Sequence, residues 1–291
     1  MRQMQKRAVK LFIFFGLFSL SLHADIVIPF FSFASYNGGY KEKDFTAGLY
    51  GSKTISSSLY KAALEYKQTT YKNDPSLEYY QNDTTLGMHN ALSKNFFTDI
   101  AAHWTFSSLY QADLNQAYLV GGGYKSDDKK FITGIDTAYS NYNGFSLAGT
   151  LWQFSPYATT VLETQALGTF SLSATYNYIN PEHPNIALKK SYHSLELKLK
   201  HSYSQWRANA ALNVGESLNL LKDKGFTLYN NNEIHTFTTL LSLGYLTTSS
   251  TLWKVSYIYD RFDAYDPLLR TPLPKQNASM SRLLLLGMFR F

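Results

Sequence analysis

Residues 281–291 read Ser-Arg-Leu-Leu-Leu-Leu-Gly-Met-Phe-Arg-Phe. Counted back in steps of two from Phe291, one set of positions holds Phe289, Gly287, Leu285 and Leu283; the other holds Arg290, Met288, Leu286, Leu284 and Arg282. Successive side chains of a strand point to opposite faces, so the spacing predicts a strand over about 279–291 with an apolar, aromatic-tipped face. Its second face is apolar in the middle and basic at both ends, which is hard to reconcile with a strand that has one side in water.

The same period of two recurs far from this stretch. In 169–178, Phe170, Leu172, Ala174, Tyr176 and Tyr178 alternate with Thr169, Ser171, Ser173, Thr175 and Asn177. His193, Leu195, Leu197 and Leu199 alternate with Ser194, Glu196, Lys198 and Lys200; Tyr60, Ala62, Leu64 and Tyr66 with Lys61, Ala63, Glu65 and Lys67. The series 206–214, 237–245 and 253–259 behave alike. These runs predict strands of about 10–14 residues where strands of globular proteins average 5–6. Aromatic residues close many of the apolar faces. Tyr and Phe reach 23 and 20 copies, a composition suited to strands whose two faces meet different solvents.

The alternation, the aromatic-tipped faces and the terminal Phe together resemble bacterial outer-membrane β-barrels. The resemblance implies that Phe291, Phe289, Leu285 and Leu283 form the signal read by the barrel insertion machinery, and that the last strand ends in the periplasm. The beginning of the chain agrees. Arg2, Lys6, Arg7 and Lys10 precede an apolar run from Leu11 to Leu22 and the cleavage-like Leu22-His23-Ala24, which predicts a secretory signal over 1–24 and one barrel domain over 25–291. That apolar run is shorter than the roughly 20 residues of a spanning helix. Taking away the first 24 residues removes four basic groups and no acidic ones, leaving 23 basic against 21 acidic. The basic character therefore resides mainly in the predicted signal, and nucleic acid is not an expected partner. The absence of Cys excludes a lipoprotein anchor and disulfides.

Turn chemistry predicts fourteen strands, at about 26–36, 43–52, 56–70, 84–92, 96–109, 115–125, 130–140, 144–154, 166–179, 190–203, 205–215, 234–247, 250–262 and 279–291. The expected fold is all-β, a transmembrane antiparallel up-and-down barrel. Pro29, the Gly38-Gly39 pair and the charged run 41–44 leave open a twelve-stranded barrel with 25–55 as a plug. Short connections near 93–95, 126–129, 203 and 247–250 fall on the periplasmic side, and the longer links 71–83, 180–189, 216–233 and 263–278 outside.

Function must come from the polar face. That face carries Lys61, Glu65, Lys67, Asp99, His103, Asp136, Glu196, Lys198, Lys200, Arg207, Lys254, Asp260, Arg282 and Arg290, a mixed and mildly basic set that suits the lining of a hydrated pore. The resemblance thus points to a porin-like channel of the Gram-negative outer membrane for passive diffusion of small hydrophilic solutes, weakly anion-preferring. Its expected partners are outer-membrane lipid, lipopolysaccharide and the insertion machinery, and no cofactor or metal is implied. Pairing across strands, such as Glu196 with Lys198, Lys200 or Arg207, would instead fill the lumen and leave a structural or adhesin-like barrel.

An enzymatic barrel is the competing class. His193-Ser194 are adjacent and so on opposite faces, unlike the His and Ser two apart of an outer-membrane phospholipase. His103-x-Thr105 share a face without a third group evident nearby. Asp127-Asp128 fall in a predicted turn, and His235 has Glu233 as its acidic neighbour in sequence. The histidines lack metal-ligand spacing. Asp74, Glu78, Asp83, Asp263 and Asp266 read as outer-loop carboxylates that could take divalent ions. Gly121-Gly122-Gly123 suggests a bend or the close passage of a lumen side chain. The apolar inner positions Leu284, Leu286 and Met288 would suit a plug contact or a hydrophobic solute.

If the terminal aromatic face directs insertion, deleting Phe291 or changing it to Asp leaves export intact and sharply lowers the fraction of protein in the outer membrane, measured by membrane fractionation. Normal insertion of both variants would contradict that assignment.

Overall fold

The computed structural model describes residues 24–72, 78–107, 115–141, 149–182, 189–218, 220–225, 227–228, 233–264 and 276–291. Its strands are β1 (Ile26–Asn37), β2 (Lys41–Ile55), β3 (Ser58–Tyr71), β4 (Glu78–Ala91), β5 (Phe96–Ser107), β6 (Asn115–Lys125), β7 (Phe131–Asn141), β8 (Thr150–Thr164), β9 (Gly168–Pro181), β10 (Tyr192–Tyr203), β11 (Trp206–Leu218), β12 (Leu221–Lys222), β13 (Thr227–Leu228), β14 (Glu233–Thr248), β15 (Thr251–Ala264) and β16 (Gln276–Arg290). Fourteen of them pair antiparallel in chain order. β16 returns to β1 and closes the barrel, while β12 and β13 form a separate hairpin. The first two strands belong to the wall: β1 pairs with β2 on one side and β16 on the other. The plug alternative for 25–55 does not hold.

Two surfaces follow from the alternation. In β1, Phe31 and Phe33 are about half exposed while Ser32, Ala34 and Tyr36 are buried; in β10, Leu195, Leu197 and Leu199 point outward while Ser194 and Glu196 are buried. The outward apolar band ends in aromatic girdles. At one end stand Trp206 against Tyr245, Trp253 against Phe289 and Phe96 against Tyr124, with ring centroids 4.9, 5.7 and 5.5 Å apart. At the other stand Phe33 against Phe45, Tyr139 against Trp152 and Phe154 against Tyr178. No helix among the described residues is long and apolar enough to cross a membrane; the crossing elements are strands.

Both ends of the barrel wall meet at the same rim, where the Phe291 N–H donates to the Asp25 carbonyl at 3.0 Å. Every turn at this rim is short. Ser56 and Ser204 take positive φ in two-residue turns, and Asn95 joins two neighbouring turns by donating to the Lys125 carbonyl and to Asp127, both at 2.9 Å. That hydrogen bond, followed by the Lys94 ammonium, holds the Asp127 carboxyl below its ordinary range. The opposite rim carries the longer links, apart from the tight Gly38–Tyr40 connection. The predicted asymmetry of short and long ends is present.

One strand is displaced from its expected position. The pattern predicts 144–154, whereas β8 spans Thr150–Thr164 and residues 142–148 lie outside the described residues. Pro156 lacks an N–H, yet the strand runs through it. The register between β8 and β9 passes from Phe154–Tyr178 to Tyr157–Thr175 without the intervening pairs, so the missing donor is accommodated as a local break in one ladder. Pro29 does the same at the closing seam, where the β1/β16 register skips Ile28 and Pro29.

Leu197 lies on the lipid side, and Leu197→Arg should destabilise the barrel by about 2–4 kcal/mol if it sits near the bilayer midplane. Lys200→Leu, on the inner face of the same strand, should change stability by no more than about 0.5 kcal/mol. Denaturant titration in lipid vesicles measures both; equal costs would mean that β10 is not embedded in the phase described.

Candidate functional site

All fourteen polar-face residues singled out from the sequence fall on the inner surface, but they are not equivalent. Most belong to buried ion-paired groups, and the largest of these is organised by a segment of the link between β11 and β14. This link is expected to lie outside the barrel. Part of it, residues 220–225, instead folds into the lumen and is fixed to the wall formed by β5 to β10.

Four consecutive residues of the segment, 221–224, each have their own anchor. The side-chain amide of Gln153 on β8 makes two hydrogen bonds to the backbone of Leu221: Nε2 donates to its carbonyl at 2.8 Å, and its N–H donates to Oε1 at 2.9 Å. This pairing satisfies the buried N–H and carbonyl of Leu221, groups that need a partner away from water. Gln153 is positioned in turn by Ser155 at 2.8 Å, and Ser155 by Asn177 at 2.8 Å. The Leu221 side chain packs into a buried cluster with Ala101, Ala117, Leu119 and Ala138, three alanines leaving the space that it fills. Lys222 reaches Glu196 at 2.7 Å, and Asp223 reaches Lys198 at 3.2 Å.

Lys224 has the most specific seat. Asp99, Gly121 and Asp136 lie side by side on β5, β6 and β7. A Cβ on Gly121 would collide with the Asp136 carboxylate, so the glycine opens a slot between the two acids. Lys224 Nζ enters it, 2.6 Å from Asp136 and 3.3 Å from Asp99, and stands 4.1 Å above the Tyr157 ring. Close passage of a lumen side chain is thus what the glycine run permits at Gly121. The turn that presents the lysine has positive φ at Asp223 and Lys224.

A second group lies near the long-loop rim at the closing seam. Asp44 is hydrogen-bonded by Tyr36 and paired with Lys67 at 3.3 Å and Arg282 at 3.4 Å; Lys41 pairs with Glu233 at 2.8 Å. His235 Nδ1 lies 2.7 Å from Asp260, so its acidic partner is that carboxylate in addition to Glu233 at 3.8 Å. Above this group Ala34, Tyr36, Phe262, Ala264, Ala278 and Met280 form an apolar cluster.

A third array corrects another expectation. His103 and Thr105 do have a further group beside them. Asp83 lies on β4 rather than in an outer loop, 3.1 Å from His103 Nε2, and accepts from Thr105 at 2.5 Å; His103 Nδ1 meets the Thr85 hydroxyl at 2.8 Å. This is a carboxylate, imidazole and hydroxyl in series, the composition of a nucleophilic triad. Thr85, His103 and Asp83 are 2, 4 and 7% exposed, which leaves no approach for a substrate, so the array acts as buried packing of polar groups. Asp263 is a β15 residue and Glu78 begins β4; Asp74 and Asp266 lie outside the described residues. Among the described residues no cluster of metal-ligating side chains is present.

Lys61 and Lys254 lie within electrostatic reach of Asp223, and neither Lys200 nor Lys254 forms a salt bridge among the described residues. Glu196 pairs with Lys198 at 2.8 Å, not with Lys200 or Arg207. Arg207 turns back to the Ser204 and Trp206 carbonyls at 2.7 Å. Register places Leu284, Leu286 and Met288 on the inner face beside Phe30, and Phe30 lies over Gly48, making one apolar strip on the wall of β16, β1 and β2.

Comparison with solved structures shows that this barrel shares its fold with bacterial outer-membrane channels. The Ralstonia pickettii toluene transporter TbuX superposes with a TM-score of 0.59 at 8% identity, over 92% of this chain and 90% of that one. The CymD monoaromatic hydrocarbon channel gives 0.56 at 10% identity, over 94% and 90%, and a Pseudomonas aeruginosa FadL homologue 0.52 at 11%, over 91% and 90%. At these identities the likeness is one of fold. No protein-family model and no curated protein sequence matches the chain.

Gln153→Leu should leave the barrel intact while releasing the segment, with hydrogen exchange at the Leu221 amide rising at least about tenfold for the loss of roughly 1–3 kcal/mol of local hydrogen bonding. Unchanged protection at Leu221 would show that the amide pairing does not hold the segment.

Proposed function

We propose that this protein is an outer-membrane channel whose throat lies between the inserted segment 220–225 and the facing wall, and that it passes small hydrophilic solutes with a weak preference for anions. The observation that carries the reading is the uneven pairing of the inner charges. Asp99, Asp136, Glu196, Asp44 and Glu233 each contact a Lys or Arg and Asp260 contacts His235; Glu65 has no salt bridge among the described residues, and Lys200 and Lys254 both face the lumen without one, two cations against one carboxyl. Paired charges cancel at short range, so the residual field of the throat is positive within a Debye length of about 8–10 Å at physiological salt.

The apolar strip of Phe30, Leu284, Leu286 and Met288 favours a second reading, a route for apolar solutes, and two of the structurally similar proteins are described as hydrocarbon or toluene carriers. Channel function is preferred to catalysis because the array of Thr85, His103 and Asp83 is sealed from solvent. Export by way of residues 1–24 and insertion guided by the outward face of Phe291, Phe289, Leu285 and Leu283 complete the proposal.

In planar bilayers under a salt gradient, the refolded parent should conduct with a small anion-selective reversal potential. Lys200→Glu combined with Lys254→Glu should move it toward cations, most strongly at low ionic strength. Lys198, clamped between Glu196 and Asp223, is the less informative site. Conductance whose selectivity ignores both substitutions would contradict the basic throat. A folded barrel that conducts no ions would shift the reading to the apolar route.

A further inference from the structure

The outer wall carries a feature that neither lumen chemistry nor assembly explains. Near the long-loop rim, β14, β15, β16 and β1 present one outward row across four adjacent strands: Phe237, Arg261, Ser279 and Asn37. One step toward the membrane the row becomes Tyr259, Ser281 and Ser35, and then Tyr257, Leu283 and Phe33, where the exposed apolar band begins. Arg261 therefore stands just above the aromatic girdle, at the depth where lipid head groups meet water.

Its side chain is held in place with most of its donors unused. Nε donates to the Tyr259 hydroxyl at 3.1 Å, and the guanidinium lies 5.9 Å from the Phe237 ring and 5.7 Å from the Tyr259 ring. These contacts fix the plane of the fork. Neither Nη group has a hydrogen-bonding or ionic partner among the described residues. Beside it lies a concavity of about 390 Å³, lined by Asn37, Thr236, Asn277 and Ser279 together with Arg261 and Tyr259. A planar cation with free paired donors, set among hydroxyls and amides, matches the oxygens of a phosphate monoester. Asp263 also borders the pocket. Its carboxylate repels any phosphate there, so the anion contact alone is weak and binding needs the added contribution of acyl chains lying against the apolar band.

We propose that this pocket binds the phosphorylated head group of an outer-leaflet glycolipid, with Arg261 as the anion-binding residue. The inference is independent of whether the lumen conducts.

Native mass spectrometry of the refolded protein in detergent tests it with three probes: bisphosphorylated lipid A, the same lipid without phosphates, and inorganic phosphate. Arg261→Gln should weaken lipid A binding at least about tenfold, the scale of a charge-assisted contact, with Arg261→Lys in between. Dephosphorylated lipid should bind the parent no better than lipid A binds the Gln variant, and millimolar phosphate should not displace lipid A. Parental affinity in Arg261→Gln overturns the proposal, and displacement by phosphate overturns it in favour of a free-anion site. Should Arg261→Gln fail to fold, Ser279→Asp places a carboxylate in the same row and should produce the same loss; parental affinity there is equally contrary.

Discussion

The bilayer interior offers no hydrogen-bond partner to a peptide group, so the last strand of this wall must find the first. The β1/β16 ladder, running from Ile26–Arg290 to Asn37–Ser279, is the contact on which the remaining architecture depends. Once it closes, no strand of the wall has an edge. Every side chain is then assigned to lipid or lumen by the parity of its position. The seam is also where the chain tolerates Pro29, with an interrupted ladder, and where the inward apolar residues of β16 meet Phe30. Burial of Phe30 over Gly48 strengthens packing at the place where backbone pairing is thinnest.

Closure creates an interior that must itself be satisfied. A wall of fourteen strands encloses more space than its own inward side chains occupy, and here the surplus is taken up by polar groups arranged in discrete clusters and by a piece of the chain folded back from the rim. Buried ion pairs contribute little net stability compared with an apolar filling, but removing one partner strands the other at considerable cost. The seat of Lys224 between Asp99 and Asp136 works in that sense. It gives the inserted segment one position instead of many, because any shift leaves Asp136 without a cation and Asp99 with the His89 imidazole alone. Gln153 and the alanines around Leu221 reinforce the same position by hydrogen bonding and by shape.

The sequence is most legible where a residue's role depends on its immediate neighbours. Alternation in β9, β10 and β11 shows which side chains meet lipid, and the count of turns gives the number of strands. It is least legible where the deciding partner is distant. Gln153 lies 68 residues from Leu221, and Asp136 lies 88 from Lys224; neither pairing leaves a periodic trace, so the polar link between β11 and β14 reads as an outer loop. Asp83 reads as a loop carboxylate because β4 begins earlier than its first clear apolar alternation, and His103 consequently appears without its acid. β8 lies later than the expected 144–154, and only the neighbouring register shows how Pro156 is accommodated within it. The glycine at 121 is the one local signal of the lumen site, since a missing side chain between two acids on neighbouring strands marks the slot.

The central claim is that a segment of the chain, held inside the barrel, sets the width of a conducting path. Single-channel conductance of the parent should be compared with that of a variant in which residues 220–225 are replaced by glycine and serine. If the segment is the constriction, each opening of the variant should carry several times the parental current while the barrel remains folded. Equal conductance in the two proteins would contradict the claim and place the narrowest point elsewhere in the lumen.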